Sequence, residues 1–369
     1  MLQDKILDGI LPMVAKPGRY TGNEWNMVRK DWDKTPVKFA LAFPDIYDIG
    51  MGHLGYKILY YVLNQREDTL AERVYAPWVD MEAEMRKQGL PLFSLENRRA
   101  LCEFDLVGFT LQYELSYTNI LNMLDLGRIP LLAADRSAKD PFVVGGGPCA
   151  FNPEPLAPFF DLFVIGDGEE AVIELVEAYR QWMQEGTDRE GFLLKAAAIP
   201  GVYVPSFYNV QYHVDGTVKA VVPNRQGVPA RVRKRVVKDL DAAVFPEEFV
   251  VPYIDVVHDR IMLEVMRGCT RGCRFCQAGM IYRPVRERRL QTLLKQASAL
   301  ADSTGYEEIS LTSLSTSDYT GIEPLVDELL TRYGGCGTSI SLPSLRLDSF
   351  SVDLAGRIQS GRKTGLTFA

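Results

Sequence analysis

Three cysteines stand close together in the segment LEVMRGCTRGCRFCQAG, at Cys269, Cys273 and Cys276. Cysteine thiolates are the usual protein ligands of iron–sulfur clusters, and they also bind zinc. A closed zinc site has four ligands, commonly in paired C-x2-C form, whereas the spacing here is C-x3-C-x2-C with no fourth cysteine nearby. Three thiolates on a four-iron cluster leave one iron without a protein ligand, open to an external chelating molecule. The pattern therefore favours an iron–sulfur cluster with one open position.

A zinc site is the alternative, and Cys336 in GGCGTS is the thiol that would complete it. The pattern around Cys336 predicts the far end of a helix, on the side of a barrel opposite the cysteine loop, which disfavours this pairing. The two isolated thiols, Cys102 and Cys149, are better explained as small buried side chains than as ligands.

The cysteine motif, with the aromatic Phe275 directly before its last cysteine, resembles that of the radical S-adenosylmethionine (SAM) superfamily. The resemblance extends over about residues 261–369. It implies a [4Fe-4S] cluster on Cys269, Cys273 and Cys276 as the catalytic centre, with the fourth iron chelated by the amino and carboxylate groups of SAM. It also implies reductive cleavage of SAM to a 5′-deoxyadenosyl radical and an electron donor such as flavodoxin or ferredoxin. Phe275 would contact SAM.

Polar side chains that follow the next two predicted strands are the other candidates for binding SAM. We select Ser313 and Ser315 in TSLSTSDY after the second strand, and Ser341 and Arg346 after the third. The family commonly has a glycine-rich segment with an acidic residue after the second strand, and this sequence departs from that form. In doing so it resembles the methylthiotransferase and cobalamin-type members. Turn and helix-cap chemistry explains serine-rich strand ends equally well.

Arginines are concentrated in and after the cysteine loop. They are Arg267, Arg271, Arg274, Arg283, Arg286, Arg288 and Arg289. Because the cluster and the SAM carboxylate are anionic, nearby cations would tune the reduction potential of the cluster. The alternative is a track for RNA phosphates, which would belong to a zinc-stabilised RNA-binding module.

The elements that must position these residues alternate between strand and helix from about residue 261 onward. IMLEVM, EEISLTSLS and TSISLPSLRL are predicted strands, and predicted helices follow each of them. The final GLTFA resembles the start of a fourth strand. We therefore predict that residues 256–369 are the amino-terminal half of a (β/α) barrel, with the remaining strands in sequence beyond residue 369.

The first half of the chain also alternates apolar strands with helices, which predicts a doubly wound parallel sheet of Rossmann-like type over residues 37–199. Residues 1–36 are predicted to be a helical segment. Residues 200–255 contain a β-hairpin signal at Asp215-Gly216 and a proline-rich connector. Ligands of such sheets bind beyond the carboxyl ends of the strands.

Three segments of the predicted sheet domain, FPDIYDIGMGHLGYKILYYVLN, VGGGPCAFNPEPL and DLFVIGDGEEAV, resemble the cobalamin-binding domain that precedes the barrel in many radical SAM proteins. The candidate cobalamin contacts are Gly50, Met51, Leu54, Gln112, Gly145, Gly146, Gly147, Gly166, Asp167 and Glu169. The D-x-H-x-x-G motif that supplies a histidine to cobalt is absent, and His53 in GMGHLGY does not match it. Cobalamin would therefore bind without a histidine on its lower face. A degenerate domain that binds no ligand is the alternative.

Composition limits the class of protein. The 369 residues carry a net charge of -7 with a pI near 5.3, which argues against a globally basic nucleic-acid binder. No apolar run is long enough to span a membrane, and the cysteines are clustered as for metal in a reducing compartment, so we predict a cytoplasmic protein without membrane association.

These patterns predict a radical SAM enzyme that transfers a methyl group from cobalamin to an unactivated centre of a small-molecule or RNA substrate. Rearrangement, cyclisation or methylthiolation without cobalamin is the alternative reaction class.

Overall fold

The computed structural model describes residues 5–346, 348 and 352–359. The chain forms two compact units, Met1–Val236 and Val237–Ala369. Among the described residues, none of the helices combines the length and the apolar character needed to cross a bilayer.

The first unit contains a six-stranded sheet. Its strands are β1 (Val37–Phe43), β2 (Thr69–Tyr75), β3 (Leu106–Thr110), β4 (Phe142–Gly146), β5 (Leu162–Val164) and β6 (Val202–Tyr203). They are arranged in the order β2-β1-β3-β4-β5-β6, and β6 is antiparallel to β5 while the other pairs are parallel. Burial along β1 extends to both of its faces, as expected of a sheet covered on two sides. The predicted α/β class is confirmed, whereas β6 was missed because two residues carry no periodic signal.

Short 3-10 helices connect β4 to β5, and α-helices follow β1, β2, β3 and β5. They are α1 (Tyr47–Gly50), α2 (Leu54–Asn64), α3 (Val79–Gln88), α4 (Tyr117–Leu126), α5 (Glu169–Glu185) and α6 (Arg189–Ala197). Local signals set their ends, since the Asp188 carboxylate accepts a hydrogen bond from the Gly191 amide at the start of α6. Gly186, with φ 63°, ends α5 in the left-handed region that glycine adopts without strain.

The strand order creates a switch in the direction of winding. From β1 the chain goes to β2 on one side, and the following strand, β3, pairs with the opposite side of β1. The carboxyl ends of β1 and β3 therefore flank a topological switch point, where open α/β sheets bind their ligands.

The edge strand β2 is buried at all seven of its positions, because the amino-terminal segment and residues 94–97 cover it. Arg73 of β2 is 2% exposed, and its guanidinium pairs with Glu24 at 2.8 Å and Glu96 at 2.6 Å. Lys30 donates to the carbonyl of Thr69 at 2.7 Å. Two carboxylates compensate the buried arginine, and the covered edge is closed to pairing with another chain.

The amino-terminal segment differs from the regular helix that we predicted. Lys5–Ile10 forms one short π-helical turn, with Ile6 and Ile10 buried. Beyond the sheet, β7 (Tyr208–Tyr212) and β8 (Val218–Pro223) form the predicted hairpin, and Gly216 has φ 83° in its turn.

The second unit repeats strand and helix. Its elements are β9 (Ile261–Glu264), β10 (Met266–Arg267), α7 (Ala278–Ile281), β11 (Arg286–Glu287), α8 (Leu290–Thr304), β12 (Glu308–Thr312), α9 (Ile322–Tyr333), β13 (Ser339–Ser341) and α10 (Val352–Gln359). β9, β12 and β13 form a parallel sheet in the order β13-β12-β9, as the alternation predicted. The third strand is shorter than predicted because Pro343, which lacks an amide hydrogen, lies two residues beyond its end at Ser341. The segment GLTFA lies outside the described residues.

Candidate active site

The cysteine loop follows β9 and β10 and is open to solvent. Residues 270–275 are all exposed, whereas Cys269 and Cys276 are half-buried. Gly268 begins the loop with φ 98°, and a Cβ at this position would lie 2.6 Å from the carbonyl oxygens of Tyr282 and Pro284. Glycine is therefore required where the loop leaves the strand. The Cys276 amide donates to the Cys273 carbonyl at 3.0 Å, and all three thiols are free.

The donor set of this loop suits a cluster better than a single ion. In the described part of the chain, no three histidine, cysteine or carboxylate side chains gather around a point that one metal ion could fill. A cubane cluster does not need that geometry, because each thiolate binds a different iron. The side chain of Cys336, the fourth ligand of the zinc alternative, lies outside the described residues.

Glu264 anchors the start of the cysteine loop. Its carboxylate accepts two hydrogen bonds from Arg267, at 2.8 and 2.9 Å, and one from Arg288 at 3.1 Å. Burial alone would raise the pKa of Glu264, but the charges and hydrogen bonds of the two arginines lower it below its usual value. Arg288 is 2% exposed, and its guanidinium lies 4.9 Å from the centre of the Phe245 ring. Arg267 and Arg288 thus stabilise the base of the loop.

The remaining arginines divide between internal and exposed positions. Arg286 is buried and donates to the Val237 carbonyl at 2.6 Å, so Arg286 and Arg288 are not accessible to an RNA backbone. Arg289 remains largely exposed, with its guanidinium 3.2 Å from Asp241. Because Arg286 and Arg288 are buried, the seven arginines do not form a continuous surface track for RNA phosphates.

Asp318 joins three loops at the carboxyl edge of the second sheet. Its carboxylate accepts hydrogen bonds from Arg271 of the cysteine loop at 2.8 Å and from the Ser315 hydroxyl at 2.7 Å. Nη1 of Arg346, in the loop after β13, lies 3.7 Å from the same carboxylate. The hydrogen bond from Arg271 is the main cause of the lowered pKa of Asp318. We did not select Asp318 from the sequence, although it is the acidic residue of TSLSTSDY.

The two faces of the second sheet differ in polarity. Ile309 and Ile340 are paired in register on one face, and Ser310 and Ser341 are paired on the other. Ser341 is 6% exposed, and its hydroxyl has no hydrogen-bond partner among the described residues. An unpaired buried hydroxyl costs about 1–3 kcal/mol, so its retention is typical of a site that a ligand completes.

The other predicted SAM contacts fall into two groups. Ser313 and Ser315 are engaged internally, with the Thr316 hydroxyl at 3.0 Å and the Asp318 carboxylate respectively. Arg346 pairs with Asp348 at 2.9 Å. Phe275, by contrast, is 90% exposed.

The candidate cobalamin residues of the first unit differ in whether the packing around them explains their identity. A Cβ on Gly50 would lie 2.5 Å from the Tyr75 ring, and one on Gly145 would lie 2.6 Å from Phe163. Packing therefore accounts for these glycines. Of the atoms that the structure describes, a Cβ on Gly146 would meet only the Val164 carbonyl oxygen, at 3.9 Å. Gly146 is thus the glycine at the carboxyl end of β4 that packing does not require.

The remaining candidates have contacts within the sheet unit. Gly147 has φ 106° and approaches the Leu111 backbone, and Gly166 forms a bridge with Arg235. The Met51 sulfur lies 3.1 Å from the Arg73 guanidinium, and Asp167 and Glu169 are buried. Gln112 donates to the Thr110 hydroxyl at 2.7 Å. Gln112 and Leu54 are half-buried at the carboxyl edge.

Apolar side chains flank the switch point, and we did not predict them from the sequence. Ile49 follows β1 and is 42% exposed, while Tyr113 and Leu115 follow β3 and are 58% and 74% exposed. His53 has a capping role, because its Nδ1 accepts a hydrogen bond from the Tyr56 amide at 3.2 Å. The three residues could have been predicted from the sequence, because they are apolar and lie in the segments that follow neighbouring strands.

Two family patterns match the chain and together cover more than half of it. Residues 55–205 match "Radical SAM proteins, N-terminal", and residues 263–364 match "Radical SAM superfamily". An uncharacterized protein of Methanocaldococcus jannaschii is 28% identical over 270 residues, 73% of this chain. The chain spans about half, 50%, of the length of that relative. The threonylcarbamoyladenosine tRNA methylthiotransferase MtaB of Bacillus subtilis is 29% identical over 147 residues, 37% of this chain and 30% of MtaB.

Solved structures share the fold. The radical SAM methyltransferase TsrM of Kitasatospora setae, solved with cobalamin and a [4Fe-4S] cluster, covers 90% of this chain and 58% of its own, with 16% identity and a TM-score of 0.54. The cobalamin-dependent SAM radical enzyme OxsB covers 91% of this chain and 44% of its own, with 13% identity and a TM-score of 0.51. These likenesses support the predicted α/β fold class.

Proposed function

Because this chain belongs to the radical SAM superfamily, we propose that it binds a [4Fe-4S] cluster through Cys269, Cys273 and Cys276 and cleaves SAM reductively. The observation that carries the proposal is the set of three free thiols on an exposed loop at the carboxyl edge of a parallel sheet. When bound, the cluster supplies one electron, received from an external donor such as flavodoxin or ferredoxin, to the sulfonium of SAM. The protein residues hold and orient both groups.

Different residues of the chain would hold the cysteine loop and contact SAM. Glu264, with Arg267 and Arg288, fixes the start of the loop, and the exposed ring of Phe275 is available to pack against SAM. The buried Ser341 hydroxyl offers a hydrogen bond to the carboxylate or ribose of SAM.

The proposal is tested by anaerobic reconstitution of the chain with iron and sulfide. We expect about four irons per chain and an electron paramagnetic resonance signal of the reduced cluster that changes when SAM is added. A chain that takes up stoichiometric zinc and no iron would contradict the proposal. It would instead favour the zinc-stabilised module.

The reaction that we propose for the first unit is cobalamin-dependent methyl transfer to an unactivated centre. When bound, cobalamin would carry the methyl group. Gly146 leaves open space at the carboxyl end of β4, and Ile49, Tyr113 and Leu115 offer apolar surface beside the switch point for a flat macrocycle. The candidate contacts Gln112, Leu54 and Gly147 belong to the same edge of the sheet.

Methylthiolation is the second candidate, and the identity with MtaB over 147 residues favours it. In that case the substrate would be RNA, and the first unit would bind substrate in place of cobalamin. Retention of cobalamin by the purified chain distinguishes the two candidates.

Replacing Ser341 with alanine is expected to raise the stability of the fold and to lower the affinity for SAM. Ser341→Ala removes a buried hydroxyl that has no partner among the described residues, so the SAM-free protein should gain about 1 kcal/mol in free energy of unfolding. Its affinity for SAM, measured by calorimetry on the reconstituted chain, should fall about tenfold. Ser339→Ala is the matched control on the same strand, because the Ser339 hydroxyl has the Glu307 carbonyl as a partner. Unchanged SAM affinity of Ser341→Ala would exclude this hydroxyl as a ligand.

A further inference from the structure

We infer that Asp318 is a positioning residue that holds the cysteine loop against the tip of β12, and this inference rests on the proposed cluster. The loop itself has little to fix it, because residues 270–275 are exposed and lack regular secondary structure. Among the described residues, an ion pair between Arg271 and Asp318 joins this loop to the rest of the unit.

The geometry of this pair is that of a strong contact. Both Nε and Nη2 of Arg271 donate to the Asp318 carboxylate, one to each oxygen, and the Nε hydrogen bond is 2.8 Å long. Two parallel charge-assisted hydrogen bonds fix the orientation of the arginine as well as its distance. Since Arg271 lies between Cys269 and Cys273, fixing its side chain restricts the backbone that carries both thiols.

Asp318 is well anchored on its own side. Its carboxylate accepts the Ser315 hydroxyl, and its amide donates to the Ser315 carbonyl at 3.0 Å. Thr316, which is fully buried, donates its amide to the Ser344 carbonyl at 2.9 Å and so ties the loop after β12 to the loop after β13. The side chain of Asp318 is 15% exposed, compared with 46% for Arg271. The anchored member of the pair is therefore Asp318, and the cysteine loop is the part that it holds.

The position of Asp318 also connects the cluster loop with the predicted SAM contacts. Ser315 donates to Asp318, and Nη1 of Arg346 is 3.7 Å from it. One carboxylate thus sets the relative placement of Arg271, Ser315 and Arg346, which follow three different strands. Loss of its charge should loosen the cysteine loop and leave the strands in place.

The test combines hydrogen exchange of the metal-free chain with iron release from the reconstituted chain. Asp318→Asn keeps the shape of the side chain and removes its charge. We expect exchange of the Cys276 amide, which is hydrogen-bonded to the Cys273 carbonyl, to accelerate about tenfold and the release of iron to a chelator to accelerate similarly, without a change in the midpoint of thermal unfolding. Glu328→Gln, which removes an exposed partner of Arg332 at 3.4 Å, is the control and should change neither rate.

A double-mutant cycle then separates the pair from two independent effects. If the two residues act together, the double variant Arg271→Gln, Asp318→Asn should accelerate amide exchange and iron release no more than either single variant does. Additive effects, or an unchanged exchange rate in Asp318→Asn, would overturn the inference. If the wild-type chain takes up no iron, the proposed function fails, while the exchange measurement on the metal-free chain still decides whether Asp318 holds the loop.

Discussion

Replacing Cys273 with serine is expected to abolish cluster binding and reductive cleavage of SAM. Cys273 is the exposed middle thiol of the loop and a proposed iron ligand, and a serine hydroxyl is not a thiolate that could take its place on iron. With two thiolates left, we expect iron to fall from about four per chain to below about one after reconstitution and desalting. The visible absorbance of the cluster and the formation of 5′-deoxyadenosine should fall with it. The fold should persist, because the loop is exposed and contributes little apolar burial.

Two further cysteine variants make this result specific. Cys102→Ser replaces a half-buried thiol of the first unit and should leave the iron content unchanged. Cys336→Ser distinguishes the cluster from zinc, because a four-cysteine zinc site would lose its metal whereas a three-cysteine cluster would not. Iron retained in full by Cys273→Ser, or metal lost from Cys336→Ser, would contradict the ligand set.

Replacing Gly146 with leucine is expected to eliminate cobalamin binding without unfolding the sheet. Among the described residues, a Cβ at Gly146 meets a single atom at 3.9 Å, an ordinary contact distance, so the backbone there accepts a Cβ without a clash. A leucine would fill the open space at the carboxyl end of β4 that a ligand would occupy. We expect the affinity for cobalamin, measured by retention through gel filtration and by absorbance titration, to fall at least about a hundredfold.

The controls use glycines with other surroundings. Gly334→Leu, at a position of the second unit where a Cβ meets nothing within 4 Å, should leave cobalamin binding intact. Gly145→Ala should instead destabilise the fold, because its Cβ would lie 2.6 Å from the Phe163 ring. Wild-type affinity in Gly146→Leu would remove cobalamin from this edge of the sheet. A wild-type chain that binds none would favour the degenerate domain.

Local patterns in the sequence were sufficient for the architecture. Alternating apolar strands and amphipathic helices predicted the two βα regions, because side-chain periodicity reports which face of each element is buried. The cysteine spacing predicted the cluster, since the ligand chemistry depends on residue type and close spacing along the chain. Short or irregular elements were not predicted correctly, because they are too short to show a periodic pattern. β6 has two residues, and the predicted amino-terminal helix is a single π-helical turn at Lys5–Ile10.

Tertiary structure alone decided how the candidate side chains are used. The sequence places Arg271 and Asp318 far apart, and only the register of β9 against β12 brings the two loops that carry them together. Ser341, on β13 beside β12, has a buried hydroxyl without a partner among the described residues, while the Ser315 hydroxyl donates to Asp318. Sequence determines the kind of chemistry and the order of the elements, because these depend on residue type and local periodicity. Which polar group remains available to a ligand depends on contacts between distant segments, and those exist only in the folded chain.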